Sequence, residues 1–105
     1  MDYSEHMRRL SIDDDRPRPD SGGDRVPLDA KTLSLVRLAA LVAVAAPSPS
    51  IHREIDRAVS AGAGPDDIVA LLDALMPIVG RPRIITAAPK VAVALGDDLD
   101  LLGDE

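Results

Sequence analysis

The side chains that could carry acid–base chemistry in this sequence are few. His52 is the strongest candidate, because histidine is the side chain that ordinarily exchanges a proton near neutral pH. Its structural alternative is a histidine at the border of an apolar helix face, hydrogen-bonded to backbone or to Asp56 one turn later. His6 stands in a charged N-terminal segment and is assigned no role. Ser34 has no base within helical reach, so we do not expect a nucleophile there.

Arginines supply the candidate anion-binding groups. Arg37 is isolated in a long apolar stretch, where its planar guanidinium could hold a substrate carboxylate. It could equally pair with Asp73 or with an acid of a neighbouring subunit. Arg81 and Arg83 stand at the predicted start of a helix, where the alternatives are an anion site and two solvated charges. We predict His52 as the catalytic residue and Arg37 and Arg81 as substrate-binding residues.

Composition limits the fold that must position these groups. The chain has 105 residues, which favours one domain, and it contains no Phe or Trp. A core of Leu, Val, Ile and Ala favours closely packed helices over a β-sandwich, so we predict an all-α fold. The absence of Cys excludes disulfides, thiolate metal sites and thiol redox chemistry. We expect no cofactor and no metal.

Charge divides the chain into three parts. Residues 1–26 carry seven acids and five arginines, 27–96 carry seven bases and six acids, and 97–105 carry five acids. We predict a disordered or docking tail over 1–26, with Leu10 and Ile12 as its anchors, a helical domain over 27–96 and an acidic tail over 97–105. The nearly neutral domain argues against a nucleic-acid partner.

Proline and glycine divide the domain into four predicted helices, near 29–46, 49–61, 65–79 and 82–95. Asp29 is the expected N-cap of the first helix, and Pro47 stops that helix after Ala46. Ser48 is the expected N-cap of the second helix, with Pro49 at its first position.

The later helices are bounded by the same signals. Pro65 opens the third predicted helix, with acids in its first turn, and Gly80 ends it. Pro77 should kink this helix near its end. Pro89 should kink or split the fourth helix, because its ring clashes with the preceding turn. Gly96 ends the ordered domain.

The apolar stretch 28–46 predicts self-association. After Leu33 it is apolar on almost every side, and one domain of this size offers too few helices to cover it. We therefore expect a homo-oligomer. The N-terminus has no apolar signal-peptide core, and the longest charge-free run is too short for a membrane span, so we expect a cytoplasmic protein without a membrane partner.

Four motifs in this order resemble the carboxymuconolactone decarboxylase family, which includes the alkylhydroperoxidase-D-like (AhpD-like) proteins. They are L-D-x-K-T at 28–32, His52 near the start of the next helix, G-A-G-P-D-D-I at 62–68 and G-R-P at 80–82. The resemblance covers roughly residues 28–95. It implies a fold built around an antiparallel helix pair and assembly as trimers or hexamers.

The resemblance also separates two kinds of chemistry. The peroxidase branch uses a Cys-x-x-Cys pair and a Glu, whose positions fall here at Ala45, Ser48 and Ser34. Without thiols, peroxidase or disulfide-reductase activity is excluded. The decarboxylase branch uses a single His with nearby anion-binding groups, and His52 matches that His.

Two classes of function follow. The first is an enzyme acting on a carboxylated lactone or a similar small organic acid, with His52 supplying the acid–base group that decarboxylation needs. The second is a catalytically silent helical oligomer that serves as a binding or assembly module. A cavity that holds His52 together with Arg37 or Arg81 would favour the enzyme.

Overall fold

A computed structural model describes residues 3–12 and 28–96. Within these ranges the chain forms five α-helices and no strand, which confirms the all-α prediction. The four helices predicted for the domain are present, each with bounds within three residues of the prediction. The five helices are α1 (Tyr3–Ser11), α2 (Ala30–Ala43), α3 (Ser48–Ser60), α4 (Pro65–Val79) and α5 (Arg81–Ala94).

Helix α1 was not expected from the sequence, which was interpreted as a tail over 1–26. Glu5 lies one turn before Arg8 and Arg9, and its carboxylate pairs with both at 3.0 and 3.6 Å. Such pairs favour a helix locally. The acidic tail and residues 13–27 lie outside the described residues.

Helix α2 begins as predicted but ends early. The Asp29 carboxylate accepts a hydrogen bond from the Thr32 amide at 2.7 Å, which confirms Asp29 as the N-cap. The predicted end at Ala46 is wrong by three residues. Ala45 has a φ of 57°, and the Ala46 amide donates to the Leu41 carbonyl at 2.9 Å. This αL turn closes the helix before Pro47 is reached.

The N-cap predicted for α3 is also corrected. Pro47 is the N-cap and Ser48 is already helical, because the Pro47 carbonyl accepts the Ile51 amide at 3.3 Å. Pro49 accordingly lies at the second helical position. Gly62, with a φ of 107°, follows the end of α3 as expected.

The prolines inside α4 and α5 do not interrupt these helices. Pro77 lies within α4, which ends at Gly80 as predicted, and α5 is continuous through Pro89. Of the two alternatives predicted at Pro89, a kink or a split, the split is therefore wrong, and the kinks predicted at Pro77 and Pro89 stay predictions. Ala87 and Val91 are buried on either side of Pro89, so core packing holds both halves of α5 in one helix.

The core lies between α2, α3, α4 and α5, and α1 contacts none of these four helices. The most extensive packing between two helices is that of α2 against α3, which a short turn connects. No helix in the described ranges combines the length and apolar character needed to cross a bilayer. The buried side chains that form the core are Leu38, Val42, Ala46, Ile51, Ile55, Ile68, Leu72, Ile84, Ala87 and Val91.

Candidate functional site

A groove of about 500 Å³ lies between α2 and α3, and it is called the α2/α3 groove below. The two helices run antiparallel, because Ala30 at the start of α2 and Ala61 at the end of α3 line the same end of it. Its lining is formed by Ala30, Leu33, Ser34, Arg37, Asp56, Arg57, Ser60 and Ala61. Two arginines and one acid thus face an otherwise small and largely apolar surface.

Arg37 is the predicted substrate-binding residue that the fold brings to this groove. It is exposed on α2, and within the described part of the chain it forms no ion pair or hydrogen bond. The alternative pair with Asp73 is therefore not formed in this chain. The Arg37 guanidinium keeps its hydrogen-bond donors available for a ligand.

Ser34 is buried in the same groove, one turn before Arg37. It is the α2 position at which the family resemblance placed the missing Glu. Its short hydroxyl adds no charge to the groove, so the ionised groups of the lining are Arg37, Arg57 and Asp56.

Glu54 beneath Arg57 is a functional candidate that sequence reasoning missed. Its side chain is buried, with the residue 4% exposed, and Oε1 accepts a hydrogen bond from Arg57 Nη1 at 3.2 Å. Oε2 is also buried and accepts no hydrogen bond from any described residue. A buried carboxylate with one unpaired oxygen costs stability. The signal was present in the sequence, because Glu54 lies three residues after Ile51 and four before Ala58, on the buried stripe of α3.

His52 lies in the second turn of α3 and is half-buried. No hydrogen bond or ion pair joins its ring to another described residue, so the alternative bond to Asp56 is absent. His52 does not line the α2/α3 groove. The His52 imidazole is therefore free of hydrogen bonds to described residues, but it does not share the α2/α3 groove with Arg37.

Arg81 and Arg83 are exposed in the first turn of α5, and neither lines the α2/α3 groove. Two further grooves of about 350 Å³ each also exclude both arginines and His52. None of these three grooves is lined by more than one of the three predicted site residues. Their assigned roles remain predictions.

One of these further grooves, called the α2/α4 groove below, is almost entirely apolar. It is lined by Thr32, Leu35, Val36, Ala39, Leu71, Ala74, Leu75 and Ile78. The other lies between α3, the turn before α4 and the end of α5.

Two carboxylates near the ends of α2 and α4 have structural roles. The hydrogen bond from the Thr32 amide lowers the pKa of Asp29 below its ordinary value of 3.8. The pKa of Asp67 is lowered mainly by the bond from the Gly64 amide, at 2.9 Å, and also by Lys31. Both groups act at helix N-termini, where negative charge is favourable. No cluster of His, Asp or Glu in the described ranges is arranged to hold a metal ion.

The fold and groove together define a small all-α protein with a partly cationic cleft. No protein-family model matches the chain, and neither a curated protein nor a solved structure is significantly similar to it. The carboxymuconolactone decarboxylase resemblance therefore rests on the motifs of the sequence alone.

Proposed function

We propose that this chain is a divergent carboxymuconolactone decarboxylase-like protein that binds a small carboxylated anion in the α2/α3 groove. The observation that carries the proposal is the placement of Arg37 and Arg57 in one groove, beside Ser34. The resemblance points to Ser34 independently of the structure, as the position of the family's helical acid. Two separate arguments thus converge on the same surface.

The chemistry of the groove limits the ligand. Arg37 forms no ion pair with an acid among the described residues, and a guanidinium binds a carboxylate through two parallel hydrogen bonds. Arg57 already pairs with Glu54, so its remaining donors can serve a second oxygen. The lining arginines and Asp56 sum to one positive charge, and Glu54 beneath Arg57 balances it. The guanidinium of Arg37, which has no ion pair in the described residues, is therefore the group that suits a small organic acid with an apolar body, such as a carboxylated lactone.

A reaction would require one further group. Loss of CO₂ leaves the bonding electrons on the ring carbon that carried the carboxylate. In an α,β-unsaturated lactone the conjugated C=C bond passes this pair to the carbonyl oxygen as a dienolate, and a ring carbon then takes up one proton. We assign that proton to the His52 imidazolium, with Arg81 as a second carboxylate-binding residue. Since neither residue lines the α2/α3 groove of one chain, this activity requires a neighbouring subunit to join the two surfaces.

The test is a calorimetric titration of the full-length protein with three named probes: an α,β-unsaturated γ-carboxy-γ-lactone, a β-oxo acid and succinate. We expect saturable binding of at least one probe, and Arg37→Gln should weaken it at least tenfold. Arg83→Gln is the matched control, because Arg83 is an exposed arginine that does not line the groove. Equal affinities for the two variants, or no binding at millimolar concentration, would refute the proposal.

Turnover separates the enzyme from a simple binding protein. CO₂ release from the lactone probe should stop in His52→Ala while binding persists. If CO₂ release survives that substitution, His52 is not the acid–base group.

A second candidate function is a catalytically silent assembly module, and it is supported by an uncovered apolar stripe on α5. Ile85 and Val93 are exposed, Pro89 lies between them, and the spacing of four residues places all three on one face. This candidate predicts a trimer or hexamer by light scattering, and Ile85→Glu should dissociate it. A folded species at the monomer mass of 11.1 kDa would contradict the assembly.

A further inference from the structure

Helix α1 carries an apolar face that nothing in the described structure covers. Tyr3, Met7 and Leu10 are all exposed, and their spacing of four and three residues places them along one side of the helix. On the opposite side, Glu5 forms ion pairs with Arg8 and Arg9. The helix is therefore amphipathic, and its apolar side has no neighbour among α2 to α5.

The length of α1 argues that its apolar face needs a partner. The helix has nine residues, whereas isolated helices shorter than about 12–15 residues are marginal in water. The ion pairs of Glu5 add only about 0.2–0.5 kcal/mol each. Packing of the apolar face against another surface would supply the missing stabilisation.

The α2/α4 groove is the complementary surface in the same chain. Its lining is aliphatic except for Thr32, and Val36 and Ile78 on its rim are exposed. From Thr32 to Ala39 the groove follows seven residues of α2, or about 10 Å. The apolar face of α1, from Tyr3 to Leu10, also spans seven residues and about 10 Å.

The connection between them does not restrict docking. Fifteen residues, 13–27, separate the described end of the α1 segment from Leu28. A chain of this length can reach roughly 50 Å when extended. The groove begins at Thr32, four residues after Leu28. The tether gives α1 a high effective concentration at the groove, which favours this helix over a free partner.

We propose that α1 docks in the α2/α4 groove of its own chain, with Tyr3, Met7 and Leu10 facing the groove. This is the helix-in-groove mode of recognition, with three anchors from one helix face. The inference is independent of the ligand proposed for the α2/α3 groove, which lies on the other side of α2.

Amide hydrogen exchange of the full-length protein tests the docking. We expect the amides of residues 7–11 to be protected, and Val36→Asp in the groove should accelerate their exchange at least tenfold. Val69→Asp is the matched control: Val69 is 53% exposed and Val36 is 52% exposed, but Val69 lies outside the groove. Circular dichroism should show that both variants retain α2 to α5.

Exchange of α1 in the unchanged protein at the rate of an unfolded peptide would overturn the proposal. Equal acceleration by Val36→Asp and Val69→Asp would also overturn it.

A disulfide experiment identifies the occupant, because the natural chain has no cysteine. In a glutathione redox buffer, the pair Met7→Cys and Ala39→Cys should form an intrachain disulfide at least ten times more readily than Met7→Cys with Val69→Cys. No preference between the two pairs would refute docking. A covalent dimer as the main product of the first pair would show that a second copy, and not the same chain, occupies the groove.

Discussion

The two sides of α2 differ in chemistry although they belong to one helix. Toward α3 it presents Ser34 and Arg37 to a groove that also contains charged side chains of α3. Toward α4 it presents Val36 and Ala39 to an apolar groove. Arg37 thus gives the lining of the α2/α3 groove a charged side chain from α2, whereas no charged residue lines the α2/α4 groove in the described part of the chain.

The ionised groups near the two grooves differ in burial as well. Glu54, next to the α2/α3 groove, is almost fully buried, and among the described residues it pairs only with Arg57 of its own helix. Lys31 and Asp67 join α2 to α4 at 3.3 Å, and both side chains are substantially exposed. The buried acid should therefore affect stability more than the exposed pair.

The largest change in stability is expected in the part of the core that lies beneath both sides of α2. Leu38 is 0% exposed and belongs to the core beneath both grooves. Leu38→Ala should lower the free energy of unfolding by about 3 kcal/mol, because a cavity remains in the core. Val36→Ala on the exposed rim should change it by less than about 1 kcal/mol. Urea denaturation followed by circular dichroism measures both changes in the free energy of unfolding. Similar losses for the two variants would contradict the placement of Leu38 in the core beneath both grooves.

The helices of the domain were predictable because local signals mark their ends. Asp29, Pro65 and Gly80 each act through the backbone of their own neighbours, so no tertiary information was needed. The early end of α2 was missed because an Ala in the αL conformation, at Ala45, carries no sequence signal of the kind that Gly62 provides. Helix α1 was missed because its charged composition resembles that of a solvated segment.

The candidate site was less predictable than the fold. Arg37 was identified because an isolated charge on an apolar helix is conspicuous, and the structure places it in a groove. The contribution of Arg57 depends on how α3 is rotated against α2, which the spacing along either helix does not determine. The burial of Glu54 follows from its position on the buried stripe of α3, although we assigned it no role from the sequence.

A moderate effect is expected from the buried acid. Glu54→Met should raise the free energy of unfolding by about 1 kcal/mol, because it replaces a half-paired buried carboxylate with an apolar side chain of similar size. Arg57→Met should have the opposite sign, since it leaves the Glu54 charge without its only hydrogen-bond partner in the described residues. Thermal and urea unfolding test this pair. A loss of stability in Glu54→Met would indicate that Oε2 is satisfied in solution.

The smallest effect is expected at the exposed pair on the α4 side, and it is detectable through pH. The pKa of Asp67 is lowered in the folded protein, first by the Gly64 amide and then by Lys31, so the folded state favours the carboxylate. This contribution is fully present above the unfolded value of about 3.8 and is lost as pH falls through the lower folded value. The difference in melting temperature between the unchanged protein and Asp67→Asn should thus be constant from about pH 5 to 8 and shrink below about pH 4.

Asp73→Asn is the control, because Asp73 is an exposed acid of α4 without an ion pair or hydrogen bond in the described residues. Asp29 also has a lowered pKa but is unchanged in both variants, so its titration cancels in the difference. A difference for Asp67→Asn that persists unchanged at pH 2, or one that Asp73→Asn reproduces, would show that the Gly64 and Lys31 contacts do not stabilise the fold.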